Sequence, residues 1–145
     1  MIEIKESTIE NLPEIVNLYQ SIEFEYFEPS MIELENIYLK MKNYPYYKVF
    51  VVEKNDEIIG SYALLIMDNL AHQGAKSGIV EDVVVKENFR SQGIGKLMME
   101  HAMSICREFK CYKLVLSSNQ VREEAHRFYE NLGFERHGFS FQVLF

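Results

Sequence analysis

The sequence predicts a single α/β domain with the element order β-α-α-β-β-β-α-β-α-β. Segments rich in β-branched and aromatic residues alternate with segments whose apolar residues recur at helical spacing. One strand-helix-strand unit surrounds a pair of glycines, Gly93 and Gly95. The 145 residues contain no repeat, no low-complexity tract and no linker rich in proline, glycine or serine, and their number suits one domain with a sizeable core. We therefore expect residues 1–145 to form one domain.

The N-terminal part of the chain predicts one short strand followed by two helices. IEI at 2–4 alternates like a strand. Ser7 with Glu10, and Ser30 with Glu33, have the capping-box spacing that begins a helix. After each pair the apolar residues share one helical face: Leu12, Ile15, Val16 and Tyr19 in the first helix, and Leu34, Ile37, Tyr38 and Met41 in the second.

The remaining elements follow from the same two patterns, alternation in strands and helical spacing of apolar residues in helices. KVFVVEKNDEIIGSYALLIM predicts a β-hairpin whose turn is the polar KNDE, and IVEDVVV predicts a strand ending near Val85. A helix is expected from Ile94 onward, because its apolar residues are Ile94, Leu97, Met98, Ala102, Ile105 and Phe109. YKLVLSS predicts another strand, and a last helix ends at Gly133. The tail FSFQVLF alternates like a final strand.

Composition narrows the class of protein. A net charge of −7 disfavours a broad nucleic-acid-binding face, and the acidic surface suits either cationic small molecules or solubility alone. No apolar run approaches the ~20 residues of a membrane span, and charges interrupt MIEIKESTIE, which is therefore not expected to be a signal peptide. Cys106 and Cys111 lack the spacing and the companions of a zinc site. We expect a cytoplasmic protein with reduced thiols and no bound metal.

The glycine pair predicts an anion-binding loop, since unpaired N–H groups at a helix start bind phosphate oxygens. A Walker A loop is excluded because Arg90 stands where its first glycine should be and Leu97 replaces the Ser or Thr. A dinucleotide fingerprint is disfavoured because Met98 occupies the position of its third glycine. The remaining alternative is a pyrophosphate held by R-x-x-G-x-G after an extended strand.

At these residues the chain resembles the GNAT superfamily of acetyl-CoA-dependent N-acetyltransferases. RSQGIG at 90–95 matches the family's R/Q-x-x-G-x-G/A loop, and IVEDVVVKENFR at 79–90 is similar to its cofactor strand. Asn119 and AHRFYENLGF at 125–134 match its closing segment. The resemblance is close over about residues 79–140 and extends over 1–70 only by element order. It implies a mixed, mostly antiparallel central sheet flanked by helices, and acetyl transfer from acetyl-CoA to an amine.

The resemblance also implies which residues bind the cofactor. Strand 83–85 would pair with the pantetheine amides, and an N–H of Val83 or Val84 would polarise the thioester carbonyl. Asn119 would hydrogen-bond the pantetheine arm, or serve as a helix N-cap. The pyrophosphate would contact the loop and its flanking positions. The full expected cofactor set is Val83, Val84, Val85, Arg90, Ser91, Gln92, Gly93, Ile94, Gly95, Lys96, Asn119 and Tyr129. Lys96 is equally well interpreted as a solvated helix position.

Three residues carry the expected catalysis. Tyr129 would protonate the departing thiolate, although periodicity alone also permits a core tyrosine. Glu81 is the expected base for the ammonium group, with Asp82 as the second choice. A regular strand makes these two carboxylates face opposite ways. The alternative is a charged pair that faces solvent at the strand end.

The acceptor is not specified by the sequence. Substrate-binding candidates are Phe24, Phe27, Glu81 and His126. An amino sugar, an aminoalkylphosphonate or a polyamine would each suit a small-molecule N-acetyltransferase. Two other hypotheses are a protein or peptide N-acetyltransferase and a non-catalytic CoA-binding module. No nucleic-acid or membrane partner is expected, and the apolar tail offers an edge strand for a homodimer.

Overall fold

The computed structural model describes residues 1–21 and 29–145, which divide into two compact units, Met1–Val115 and Leu116–Phe145. The first unit contains the sheet and three helices, and the second contains one helix. The strands are β1 (Ile2–Glu6), β2 (Tyr47–Lys54), β3 (Glu57–Met67), β4 (Ser77–Val85) and β5 (Lys113–Val115). The helices are α1 (Leu12–Tyr19), α2 (Met31–Met41), α3 (Ile94–Glu108) and α4 (Glu123–Asn131). The organisation of residues 1–145 as one domain stays a prediction.

The five strands form one sheet in the order β1-β2-β3-β4-β5. All neighbouring pairs are antiparallel except β4 and β5, which are parallel and are joined through α3. The predicted fold class, an α/β fold with a mostly antiparallel sheet flanked by helices, is therefore confirmed. None of the helices within 1–21 and 29–145 is long and apolar enough to cross a membrane.

The final strand predicted for the tail is wrong. Residues 139–145 form no strand, although their sequence alternates. A strand is stable only when a neighbour satisfies its backbone, and alternation by itself supplies no neighbour. The large apolar side chains of this segment are accordingly exposed, namely Phe139, Phe141, Val143, Leu144 and Phe145. The homodimer expected through this tail stays a prediction.

One predicted helix start is confirmed and the other is wrong. At α2, Glu33 N–H donates to Ser30 Oγ (3.3 Å) and Ser30 N–H donates to a Glu33 carboxylate oxygen (2.7 Å), as expected of a capping box. Ser7 instead is buried, and its carbonyl accepts a hydrogen bond from the Tyr38 hydroxyl at 2.6 Å. Thr8, one residue later, instead begins the 3-10 turn Ile9–Asn11 that precedes α1, and its N–H donates to Asn11 Oδ1 (2.8 Å).

The sheet has a packed core on each face, because β2 and β3 are buried on both sides. The first face packs against α1 and includes Ile15, Leu18, Val49, Val51, Ile58, Ala63 and Val84, with Tyr19, Met41 and Tyr47 at its margin. The opposite face packs against α3, where the Tyr62 hydroxyl lies 2.6 Å from His101 Nδ1. Burial of each large apolar side chain contributes about 1.5–3 kcal/mol. The two cores therefore hold β4 and the start of α3 in fixed positions.

Candidate active site

The strands β4 and β5 pair over only three residues. The register joins Ser77 to Lys113, Gly78 to Leu114 and Ile79 to Val115, and the pairing then stops. β4 continues to Val85 and stays paired with β3 on its other side. Within the described residues, positions 80–85 therefore have a strand on one side only. The edge of β4 that faces away from β3 can pair with an extended ligand in place of a strand.

A β-bulge interrupts β4 within this open segment. Ala63 is opposite Glu81, whereas Ser61 is opposite Val84, so that two residues on β4 face one on β3. Asp82, the first of these two residues on β4, has a φ of 53°. Because Ser61 and Ala63 point to one face of the sheet, Glu81 and Val84 do so too. Pairing with Ala63 thus places Glu81 on the α1 face, and the bulge puts Val84 rather than Val83 on that face after it.

The two carboxylates act electrostatically on a neighbouring phenol, and Asp82 acts on Glu81. The expectation that Glu81 and Asp82 face opposite ways assumed regular alternation, which does not hold at a bulge. Burial, followed by the charges of Asp82 and then Glu81, raises the pKa of the Tyr47 hydroxyl, so both carboxylates act on one phenol. Burial and, second, the neighbouring Asp82 raise the pKa of Glu81 itself. A carboxylate with a raised pKa is suited to accept a proton near neutral pH.

Two tyrosines near these carboxylates were not among the predicted site residues. Tyr19 ends α1 and Tyr47 begins β2, and both lie at the margin of the core on the α1 face. Burial and then the charge of Asp82 raise the pKa of Tyr19, while a hydrogen bond with Ser61 lowers it. Sequence periodicity assigned Tyr19 to the core face of its helix. Nothing local in the sequence associates either tyrosine with β4.

The glycine loop forms the N-terminus of α3. Gly93 is the N-cap residue with a φ of 84°, which strains a residue that has a Cβ, and Ser91 also has a positive φ of 61°. The first helical hydrogen bond runs from Leu97 N–H to Gly93 O at 3.1 Å, and no side chain caps the helix. The preceding N–H groups therefore have no acceptor within the helix. This arrangement fits a phosphate or pyrophosphate group.

Two polar side chains of the loop form hydrogen bonds to nearby backbone carbonyls and so stabilise the conformation of the loop. Arg90 Nε donates to Val85 O at 3.1 Å, which ties the loop to the end of β4. Gln92 Nε2 donates to Asn88 O at 3.0 Å. Lys96 is exposed and lies 3.8 Å from the carboxylate of Glu100 one turn later. Arg90 thus joins the open edge of β4 to the loop before α3, the two features that an extended phosphorylated ligand would use.

In the second unit, Asn119 is not the N-cap that one interpretation expected. The N-cap residue of α4 is Arg122, and Asn119 instead closes a turn by accepting Val121 N–H on its Oδ1 at 3.1 Å. The Asn119 carbonyl lies 2.8 Å from His126 Nε2. Because a carbonyl only accepts, that nitrogen carries the proton. His126, a predicted substrate-binding residue, is therefore engaged in holding the Asn119 turn.

Tyr129 lies in the last turn of α4, where its position is set by the end of the helix. Gly133 has a φ of 96°, and Phe134 N–H donates to Tyr129 O at 3.1 Å, which is the bond of a Schellman motif. The Tyr129 ring contacts Phe134 and Phe128 edge-on at 5.6 and 5.2 Å between centroids. Burial raises the pKa of Tyr129, while Arg122 lowers it. The phenol therefore stays protonated at neutral pH.

Two of the predicted acceptor residues, Phe24 and Phe27, lie outside the described residues. Tyr38 on α2 is buried, and its hydroxyl donates a hydrogen bond to the Ser7 carbonyl. Among residues 1–21 and 29–145, no three or more His, Cys, Asp or Glu side chains are grouped so that they could hold a metal ion.

The comparisons with known proteins agree with this geometry. The family model described as acetyltransferase (GNAT) family matches residues 12–134. A glucosamine 6-phosphate N-acetyltransferase of Trypanosoma brucei brucei is 38% identical over 90 residues, which are 62% of this chain and 59% of that protein. The chain thus matches less than two thirds of this relative's length.

Solved structures share the fold over the full chain. A Trypanosoma brucei acetyltransferase superposes with a TM-score of 0.88 at 27% identity and covers 100% of both chains. A glucosamine-6-phosphate N-acetyltransferase of Arabidopsis thaliana has a TM-score of 0.89 at 22% identity, covering 100% of this chain and 99% of that one. At the latter identity the likeness concerns the fold alone.

Proposed function

Since the chain belongs to the acetyltransferase (GNAT) family, we propose that it transfers the acetyl group of acetyl-CoA directly to the amine of a small molecule. The observation that carries this proposal is the open edge of β4 at 80–85, which leads directly into the loop at the start of α3. An extended ligand with a pyrophosphate at one end suits both features. The name of the trypanosome relative, which specifies a small amino sugar, supports a small-molecule acceptor.

The chain's own groups suit the proposed cofactor. The unpaired N–H groups after Gly93 would bind the pyrophosphate, and the backbone of 83–85 would pair with the pantetheine amides. Acetyl-CoA, when bound, supplies an acetyl group activated as a thioester. The N–H of Val83 or Val84 would donate to the thioester carbonyl oxygen and stabilise the negative charge that develops there.

Proton transfers are assigned to two side chains. Glu81 would accept the proton that an ammonium group must lose before its nitrogen can attack, and Asp82 is the second choice for this role. Tyr129 would donate a proton to the departing thiolate, a role supported by its raised pKa, which keeps the phenol protonated. Asn119 would bind the pantetheine arm.

The test is a thiol-release assay with acetyl-CoA and a panel of amines, combined with calorimetric titration of CoA. Gly93→Ala forces an alanine to a φ of 84° in the proposed pyrophosphate loop. Gly74→Ala is the matched control, because Gly74 also has a positive φ (77°) and also has room for a Cβ, but lies in a different loop. We expect turnover with at least one amine, and weaker CoA binding in Gly93→Ala only.

The same assay separates the alternatives. Acetylation of peptides but of no free amine would identify a protein or peptide N-acetyltransferase. CoA binding without turnover of any amine or peptide would identify a non-catalytic module. Absence of both CoA binding and turnover would refute the proposal as a whole.

A further inference from the structure

Four side chains on the α1 face of the sheet form what we call the carboxylate–tyrosine cluster: Tyr19, Tyr47, Glu81 and Asp82. Val49, Ala63 and Glu81 are cross-strand neighbours in one row on this face, and Tyr47 lies on the same face of β2, two residues before Val49. The residue between Val49 and Glu81 is only an alanine, so no large side chain separates the Glu81 carboxylate from β2. Tyr19 reaches the same face from the end of α1.

The cluster has an accessible aromatic side. The Tyr47 ring lies 5.5 Å from that of Tyr44, with a tilt of 59° between the planes. Tyr44 is 54% exposed, so the pair extends from the core margin into solvent. Phenol rings of this kind attract ammonium groups to their faces.

The described charges that act on Glu81, Tyr19 and Tyr47 have one sign. Glu81 forms no ion pair with a described residue. The charged side chains that shift the pKa of Glu81, Tyr19 or Tyr47 are all acidic or phenolic, and no lysine, arginine or histidine of the described chain contributes. A phosphate or phosphonate group placed here would meet like charge, whereas a second ammonium group would be attracted.

We propose that the carboxylate–tyrosine cluster is the acceptor-binding surface, and that its acceptor is an aliphatic diamine or polyamine rather than an amine carrying a phosphate. This inference rests on the acetyltransferase function proposed above. One ammonium group lies at Glu81, gives up a proton to that carboxylate and becomes the nucleophile. A second ammonium group lies against the Tyr47 face. The net charge of −7 adds a long-range attraction for a multiply charged cation.

The first experiment compares four acceptors at equal concentration: cadaverine, spermidine, phenethylamine and glucosamine 6-phosphate. We expect kcat/KM for the two polycations to exceed that for the other amines by at least about tenfold. The advantage should shrink as salt is raised, because salt screens the attraction. A preference for glucosamine 6-phosphate or phenethylamine overturns the acceptor class and leaves the acetyltransferase proposal intact. If CoA does not bind and no amine is acetylated, the proposed function itself has failed.

The second experiment tests Tyr47 as a specificity residue. Tyr47→Leu removes the ring, and Tyr46→Leu is the matched control, because the Tyr46 ring packs on the other face against Phe109 at 4.9 Å. We expect Tyr47→Leu to raise KM for cadaverine about tenfold with kcat changed less than about threefold. Tyr46→Leu should leave KM unchanged.

CoA affinity and the thermal midpoint report whether each variant is folded. Tyr47→Phe, which keeps the ring, should keep most of the affinity for cadaverine even if Tyr47→Leu fails to fold. Equal KM values in wild type and Tyr47→Leu, or a large loss of cadaverine affinity in a folded Tyr47→Phe, overturn the assigned role of the ring.

Discussion

The ring of Phe134 lies 5.6 Å from the ring of Tyr129, and a backbone bond from Phe134 N–H to Tyr129 O (3.1 Å) joins the same two residues. Both contacts follow from the way α4 ends, since Gly133 takes a left-handed conformation and returns the chain onto the last turn. The residue after the glycine then packs on the residue two positions before the end of the helix. A local backbone motif thereby holds the side chain to which we assign the thiolate proton.

Phe134→Ala should therefore lower activity through Tyr129. Loss of the ring contact frees the phenol to change rotamer, and we expect kcat to fall about tenfold or more. The free energy of unfolding should fall by about 1 kcal/mol, as is typical for an aromatic pair. Phe141→Ala, at a residue that is 90% exposed, is the control and should change neither quantity. A destabilised Phe134→Ala with normal kcat would show that Phe134 does not position Tyr129.

Tyr129→Phe should lower kcat about a hundredfold, since it removes the proposed proton donor. Burial raises the pKa of Tyr129 above its ordinary value, so the wild-type phenol should keep its proton up to at least about pH 10. The profile of kcat against pH should consequently show no alkaline decline from this residue between neutral pH and about 10. An alkaline limb below that point that disappears in Tyr129→Phe would contradict the assignment.

Glu81 should control the acid side of the pH profile. Its pKa is raised, first by burial and second by Asp82, so kcat/KM for the amine should rise with pH through a midpoint above the ordinary glutamate value. Asp82→Asn removes one cause of the raised pKa of Glu81 and should move this acid limb, the rise of kcat/KM with pH, to lower pH. Glu81→Gln should abolish the limb, and Glu14→Gln, at an exposed position on α1, should leave it in place. An unchanged limb in Asp82→Asn would show that the two carboxylates do not interact.

The same pKa shift has a consequence for stability. Because the folded state raises the pKa of Glu81, folding favours the protonated form. That stabilising contribution is fully present below the unfolded pKa, about 4.3, and is lost as the pH rises through the folded value. Urea unfolding should therefore show that Glu81→Gln gains stability relative to wild type between acidic and neutral pH.

Most of the fold could be predicted because its periodicities are regular. The helix expected from Ile94 begins at that residue, and the left-handed conformation of Gly133 ends α4 as predicted. The bulge at Asp82 could not be predicted, because no glycine or turn sequence marks it and its positive φ depends on the register with β3. For the same reason the association of Tyr47 with Glu81 could not be read from either segment alone.

The thiols of Cys106 and Cys111 should differ in reactivity. They occupy the same two positions at the end of α3 as Tyr129 and Phe134 do at the end of α4, with Cys111 N–H donating to Cys106 O at 2.8 Å. Burial and then Cys111 raise the pKa of the Cys106 thiol to about 12, which leaves little reactive thiolate. Iodoacetamide at mildly alkaline pH should label Cys111 alone in the native protein and both thiols in urea. Native Cys111→Ser should stay unlabelled, and rapid labelling of Cys106 in it would contradict the prediction.

Position 78 should require a glycine, because the sulfur of Cys106 occupies the space that a side chain there would need. A Cβ at Gly78 would lie 2.5 Å from the Sγ atom of the buried Cys106 and 3.1 Å from a methyl carbon of Leu114. Gly78→Ala should therefore cost about 1–3 kcal/mol of unfolding free energy, measured by urea denaturation. Cys106→Ala removes the sulfur, so the double variant should be less destabilised than the sum of the two single changes. Gly138→Ala, at a glycine with no atom near its Cβ position, is the control. Strict additivity of Gly78→Ala and Cys106→Ala would mean that the clash is relieved elsewhere, by movement of β5 rather than of the thiol.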